Sequence, residues 1–513
     1  KSGGKRPLGI PNFTDKLVQE ALRMVLEAYF EPRFRDSSHG FRPGRGCHTA
    51  LANLNCRFRG SAWFIEGDIR GCFDNIDHQV LMDIISRDIQ DGRLLNLIQM
   101  GLEAGYMEDW QYHKTYSGTP QGGILSPLLA NIYLNELDTF IEEELIPQYT
   151  KGLRRACSPE YERITNDLRD ARVEKDEARV KELIRKRRQT PSQNVQDPNF
   201  RRLRYIRYAD DFILGFIGPK TEAEAIKTAL SVFLKEKLHL EMSETKTLIT
   251  HARTEHARFL GYEISIHQAD TKLSGRSGTY TKTRSANGRV RLGVPYGKVD
   301  ELGKRYLRNG KPTHEAALLA YSDAQIIEIY QLRYRGVAEF YKYAVDRSYL
   351  SKLRNVMETA LTKTLAHKYK LSVPKIYQKY RGKQTVKGYA YKVLQVEVPT
   401  KNGSRCIYWG AVPLRVVKPG TEPITDEIGM GYGMTSQRTD LIRRLQANEC
   451  ELCGLHEKCE VHHIRSLSDL KKRWQGQKVR PDWMIRMIAM QRKTLIVCQK
   501  CHVEIHAGRL SPK

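Results

Sequence analysis

Along Thr14–Phe30, TDKLVQEALRMVLEAYF, apolar residues return every three to four positions. That spacing predicts an amphipathic helix, with Thr14 as its N-cap. The run Ser61–Ile69, SAWFIEGDI, is short and apolar and predicts a buried strand, and Ser126–Glu144 returns to helical spacing. Residues 151–200 have few large apolar positions and many charges. They predict a solvated helix laced with i,i+4 pairs, inserted within one domain, with an RNA-touching basic strip as the alternative. Strand character resumes over 201–265, and the Gly, Ser, Lys and Arg of 268–298 suggest a flexible basic loop. Residues 313–370 are helical in pattern, and the aromatics of EIYQLRYRGVAEFYKYAV, from Glu328, are assigned to a core rather than to base stacking. Residues 371–445 suggest a mixed basic linker, and 446–513 carry a Cys and His cluster. No internal repeat is visible.

Composition narrows the function. The 513 residues suggest three or four domains, and 40% apolar content is ample for their cores. Lys and Arg outnumber Asp and Glu by 85 to 59, a formal net charge of +26. Such a surplus suits a polyanion, because each phosphate neutralised releases condensed counterions. A membrane surface is the competing partner. No apolar run approaches the ~20 residues of a span, and no basic amphipathic anchor is evident, so nucleic acid is preferred. Four of the ten Cys form two C-x-x-C pairs, which indicates metal binding in a reducing compartment rather than a secreted disulfide framework. The chain opens on Lys1, so an upstream segment is expected.

Against this basic background stands YIRYADD, Tyr205–Asp211, followed by FILGF. Two adjacent acids between apolar runs fit either a plain hairpin turn or a metal site on a strand–turn–strand. Asp68, at the end of SAWFIEGDI, is a third acid. A strand-end acid plus an acidic hairpin is what two-metal phosphoryl transfer needs, with Mg²⁺ held by carboxylates. Neighbouring strand residues face opposite ways, which ranks Asp210 above Asp211.

A second chemistry lies near the C-terminus. Cys450 and Cys453 precede Cys498 and Cys501 by a 44-residue spacer. Two such pairs suit tetrahedral structural Zn²⁺, the bland alternative being buried free thiols. His462 and His463 lie between the pairs, and His502 and His506 share one face of a predicted helix, so three or four His are expected to converge.

Seven blocks now carry a family resemblance: GGKRPLGIP from Gly3, HGFRPGRGCHTAL from His39, EGDIRGCFDNIDH from Glu66, GTPQGGILSPLLANIYLNELD from Gly118, RYADDF from Arg207, LEMSETKT from Leu240 and RFLGYEI from Arg258. In this order they resemble the bacterial group II intron-encoded proteins, reverse transcriptase–maturases, and they span about half of the chain. The resemblance implies an α+β fold: right-hand polymerase fingers and palm, a helical thumb, and a small zinc-stapled ββα-metal HNH domain. It divides the chain into fingers and palm at 1–298 with the charged insertion 151–200, thumb and maturase domain at 299–390, a basic DNA-binding linker at 391–445, and HNH endonuclease at 446–513. It makes Asp68, Asp210 and Asp211 the Mg²⁺-binding catalytic acids. Phe73 would lie under the incoming sugar, although a core Phe after a strand is the plainer reading. Lys5 and Arg6 would meet the triphosphate, Gln121 would place the nucleotide, and Lys246 would sit near the pyrophosphate. His463 would be the nuclease base, a role that suits imidazole, while His462, His502 and His506 would hold one catalytic divalent metal. The chain departs from the pattern at Thr494, near where the middle Asn of HNH would fall.

The implied activity is RNA-directed DNA polymerisation, assistance to RNA splicing, and DNA nicking in intron homing by target-primed reverse transcription. The implied partners are intron RNA, target DNA and dNTPs in a bacterial cytoplasm, with no membrane. The family also has an N-terminal extension ahead of the first block. The rival readings are another reverse transcriptase, such as a retron or CRISPR-associated enzyme, and a splicing cofactor with a vestigial polymerase site. The thumb-like helices and the HNH-like cluster argue against the first. Intact Asp68, Asp210 and Asp211 argue against the second.

Overall fold

A computed structural model describes residues 9–108, 111–113, 115, 117–119, 122–194, 197–243, 245–268, 274–275, 282–283, 287–386, 388–400, 403–420, 444–445, 447–456, 458–464, 481–489 and 493–507. It has two compact units. The first holds the described residues up to Pro295, with Tyr343–Asp346 and the stretch from Val416. The second holds Tyr296–Lys342, Arg347–Arg415 and the described C-terminal residues.

The first helix, α1 (Phe13–Phe30), is capped by Asn12 rather than Thr14, because the Asn12 side chain accepts from the Asp15 N–H at 2.8 Å. Its Leu22, Leu26 and Phe30 enter the main core. α2 (Cys47–Arg57) leads to strand β1 (Trp63–Asp68), whose Phe64 and Ile65 are fully buried. α3 (Ser126–Phe140) is apolar around most of its circumference and runs through the same core. The charged insertion is two helices, α4 (Pro159–Val173) and α5 (Glu177–Gln189). Lys175 breaks them apart in a left-handed conformation. α4 buries Ile164, Leu168 and Ala171, so it is not wholly solvated.

Strands β2 (Arg202–Tyr208) and β3 (Asp211–Ile217) form the hairpin around Ala209 and Asp210. With β1 and β4 (Ile249–His251) they make an antiparallel sheet in the order β2-β3-β1-β4. A side chain at Gly67 would run into the ring of Phe212, so glycine is needed where β1 and β3 meet. A second sheet joins Ala257–Phe259, Tyr262–Ile266 and Val290–Gly293. Val290–Gly293 is therefore a strand, inside the stretch expected to be loop.

In the second unit, α6 (Asp323–Phe340) starts with a Ser322/Gln325 capping box, and α7 (Leu350–Tyr369) packs beside it. Tyr330 and Tyr334 are fully buried around Trp409, as the core assignment of these aromatics expects. The stretch read as linker instead forms a helix at Val373–Tyr380 and a three-stranded sheet of Arg381–Val386, Tyr389–Thr400 and Gly403–Trp409. Its apolar alternation, with Leu394 and Trp409 buried and paired, outweighs the basic composition. Among the described residues, no helix is long and apolar enough to cross a membrane.

Two candidate phosphoryl-transfer sites

The central sheet brings the predicted acids to one end. Asp68 closes β1 directly opposite Asp211, the first residue of β3. Directly opposed positions share a face, so Asp68 and Asp211 are cross-strand neighbours. Asp210 is not on the strand but in the turn, beside Ala209. The expectation that alternation along a strand ranks Asp210 above Asp211 therefore has no basis in the register. Asp210 lies near the buried Cys72 thiol, which burial, and then the Asp210 charge, push up to about 12. Among the described residues, only the Cys and His clusters bring three or more ligand atoms within 4.8 Å of one another, so the acids converge less tightly.

Lys246 donates from Nζ to Asp68 Oδ2 at 2.6 Å. The loop carrying it is strapped to β1, since the Ser243 N–H donates to the Asp68 carbonyl at 2.8 Å. A cation on Asp68 competes with any metal for that oxygen. Lys246→Met is accordingly expected to lower the Mg²⁺ concentration at which the free protein half-saturates by several-fold, measured by Mn²⁺ competition. An unchanged Mg²⁺ affinity would show that the pair does not compete.

Phe73 is half-buried in a 3₁₀ turn, Cys72–Asp74, with its ring edge-on to Phe41 at 6.1 Å. Its carbonyl accepts from the Thr119 N–H at 2.7 Å, and His78 Nε2 lies 2.7 Å from the Gly118 carbonyl. The GTPQGG segment thus begins strapped to the Phe73 turn. Gln121, Lys5 and Arg6 lie outside the described residues.

The HGF segment packs over the acidic turn. A side chain at Gly40 would collide with the Ala209 backbone nitrogen, and His39 N–H donates to the Arg207 carbonyl at 2.9 Å. The buried His39 ring contacts Thr49 and Asn53. Burial first, then Arg45, Arg42 and Arg57, lower its pKa to about 4. The folded state thus prefers the neutral ring. Stability is whole above the ordinary His pKa and is lost progressively as pH falls from about 6.5 towards 4, by up to about 3 kcal/mol. His39→Gln should flatten that part of the melting-temperature–pH curve; an unchanged curve would assign the acid sensitivity elsewhere.

At the C-terminal cluster, β5 (Cys459–His463) pairs with β6 (Thr494–Cys498), and α8 (Gln499–His506) follows. Cys450, Cys453, Cys498 and Cys501 bring their sulfurs within 4.8 Å of one another. Burial raises the Cys450 thiol, but backbone bonds from Cys453, Cys498 and Leu452 outweigh it and bring the thiol down to about 7. Four sulfurs this close, three of them on buried residues and Cys453 exposed, fit tetrahedral zinc.

His462, His502 and His506 also bring their ring nitrogens within 4.8 Å. Both nitrogens of His462 are buried without a hydrogen-bond partner among the described residues. A buried imidazole with no partner fits a metal ligand. Burial and then the neighbouring His charges lower its pKa to about 4, leaving a lone pair free near neutrality. His463 is exposed and stands outside this trio, and its direct cross-strand partner is Thr494. One residue was missed from the sequence: Glu460 Oε2 lies 2.8 Å from His502 Nδ1, which orients the ring's other nitrogen towards the trio. Its place two residues before His462 on a strand, hence on the same face, was the available signal.

An Asp–Asp turn against a strand-end Asp fits two-metal nucleotidyl transfer, and the matches place the chain among the reverse transcriptases. The family model "Reverse transcriptase (RNA-dependent DNA polymerase)" matches residues 1–264, "Type II intron maturase" matches 297–405, and "AI2M/AI1M-like, HNH endonuclease" matches 450–502. The chain belongs to the group II intron-encoded proteins, with reverse transcriptase, maturase and HNH endonuclease domains. It is 40% identical to the group II intron-encoded protein LtrA of Lactococcus lactis subsp. cremoris over 97% of this chain and 82% of that one. It is 32% identical to an uncharacterized 91 kDa protein in a cob intron of Schizosaccharomyces pombe, over 99% of this chain and 62% of that one. Among solved structures, a telomerase from Candida tropicalis with an RNA fragment is 13% identical over 72% of this chain and 48% of that one. Its TM-score is 0.32.

Proposed function

We propose that this protein acts in target-primed reverse transcription, nicking DNA at one site and extending the new 3′ end at the other. The observation that carries the polymerase half is the register that sets Asp68 opposite Asp211 beside the Asp210 turn. Asp68, Asp210 and Asp211 would hold two Mg²⁺ ions, which supply activation of a 3′-hydroxyl and charge stabilisation on the leaving pyrophosphate. Phe73 would lie under the incoming sugar, near the strapped start of the GTPQGG segment, and Gln121 would place the nucleotide. Lys5, Arg6 and Lys246 would meet the triphosphate of a dNTP.

The nuclease half rests on the His462, His502 and His506 trio with exposed His463 next to it in the strand. The trio would hold a divalent ion that stabilises phosphate charge, and His463 would take a proton from water. The four Cys would hold structural Zn²⁺ and so staple a ββα-metal fold. Thr494, opposite His463, can accept or donate one hydrogen bond but cannot copy an amide. The thumb and basic C-terminal regions would bind intron RNA and DNA, with domains divided at 1–298, 299–390, 391–445 and 446–513 in a bacterial cytoplasm.

The reading is tested with the protein bound to its intron RNA, supplied with labelled target DNA, Mg²⁺ and dNTPs. A nicked strand that then grows on RNA supports it. Extension that needs no nick, or nicking whose 3′ ends are never extended, contradicts it.

A further inference from the structure

The deepest charge in the first unit lies directly beneath the acidic turn. Arg207 and Asp138 are both 0% exposed. A guanidinium has five N–H donors, and here five bonds use them. Nε and Nη2 grip the two Asp138 oxygens at 2.8 and 2.6 Å, Nη2 also reaches Ser38 Oγ at 2.8 Å, and Nη1 reaches Asn131 Oδ1 at 3.2 Å and the Ala209 carbonyl at 3.0 Å. Burial works against the charged form, but Asp138 outweighs it, so Arg207 stays ionised. Tyr205 OH donates to the same Asp138 oxygen at 2.7 Å.

The last of the Arg207 bonds matters most. The Ala209 carbonyl belongs to the peptide that joins Ala209 to Asp210. Ala209 is left-handed, with φ at 55°, which non-glycine residues seldom adopt. Such a conformation persists where its surroundings over-determine it. Here Arg207 holds the turn from below and Gly40 closes on it from the other side. Asn131 joins the two, since its Nδ2 donates to the Gly40 carbonyl at 2.8 Å while its Oδ1 accepts from Arg207. A buried ion pair is by itself weak evidence for stability, and its best-attested use is to fix one arrangement over others.

We infer that Arg207, held by Asp138 and Asn131, is a positioning residue of the polymerase: it fixes the peptide plane from which Asp210 projects. This rests on the reading of Asp68, Asp210 and Asp211 as the Mg²⁺ site. Lysine would keep the charge, but its ammonium has three donors and no planar fork, so it cannot grip Asp138 and Ala209 together.

The test is primer extension by the full chain on an RNA template, with Mg²⁺ titrated, for the parent, Arg207→Lys, Asn131→Ser and Asp210→Ala. Arg207→Lys should lower kcat by about 100-fold and raise half-saturating Mg²⁺ by about tenfold, amounts typical of lost preorganisation. KM for the primer–template and the rate of DNA nicking should stay at the parent's level. Asn131→Ser, which leaves the Arg207–Asp138 pair in place, should show a smaller shift of the same kind, and it decides the matter if Arg207→Lys does not fold. Parental kcat and Mg²⁺ dependence in a folded Arg207→Lys, or in a folded Asn131→Ser if the first variant fails to fold, overturns the inference. If Asp210→Ala itself still extends primers, the reading of the Mg²⁺ site has failed; if only Asp210→Ala is dead, the positioning role alone has.

Discussion

Asp210→Ala is expected to cut RNA-templated DNA synthesis by about 10³-fold or more, which is about 4 kcal/mol of transition-state stabilisation. The reason is local. A carboxylate in the turn beside the Asp68–Asp211 pair would bring negative charge to the cations that bridge enzyme and triphosphate. Alanine supplies none, and no other described acid occupies that turn. Asp210 is only half-buried, so folding should survive with a melting temperature within a few degrees of the parent's. RNA binding should survive too, because it draws on the basic surface rather than on the acids. Splicing of the intron RNA is therefore expected to persist. Loss of splicing together with synthesis, in a variant that melts normally, would mean that the two jobs are not separable in this way.

The second large effect is expected from the thiolates. Cys498→Ser, or removal of zinc by chelation followed by return to excess Mg²⁺, should abolish DNA nicking and leave primer extension unchanged. Among the described residues, the cluster around Cys450, Cys498 and Cys501 holds the buried side chains of Trp483, Met484, Met487, Leu495, Val497 and Ile505. A structural zinc contributes about 10–16 kcal/mol of apparent binding energy in small domains, a large share of what holds a core of this kind together. Without such an ion, the strand that carries His462 and His463 would lose that support. The check is metal content by mass spectrometry beside a nicking assay on the same sample. Full nicking by a protein with no bound zinc would remove the cysteines from a structural role.

What the sequence revealed and what it concealed follow the range of the interactions. The strands ending at Asp68 and beginning at Asp211 were legible because their apolar runs are local. So were the helix over Ser126–Phe140 and the core aromatics Tyr330 and Tyr334. The sheet from Arg381 to Trp409 was hidden by its Lys and Arg content, although Tyr389–Thr400 alternates as a strand does. The break at Lys175 carries no Gly or Pro to announce it. The helix start at Asn12 rather than Thr14 turns on one capping bond that two neighbouring polar residues could each have made. In the sites, the residue types were legible and their partners were not. Lys246 on Asp68, Arg207 on Asp138 and Glu460 on His502 join positions far apart in the chain, and no local pattern pairs them. The turn around the acidic pair was legible too, but not which of its acids stands on the strand: Asp210 lies in the two-residue turn and Asp211 opens the strand.

On this reading, one basic chain carries two chemically separate phosphoryl-transfer sites. The most direct test measures primer extension and DNA strand nicking side by side in the parent, Asp210→Ala and His463→Ala. A clean exchange is expected: Asp210→Ala nicks at the parental rate and does not extend, and His463→Ala extends at the parental rate and does not nick. Either variant losing both activities while remaining folded, or His463→Ala nicking as the parent does, would contradict it.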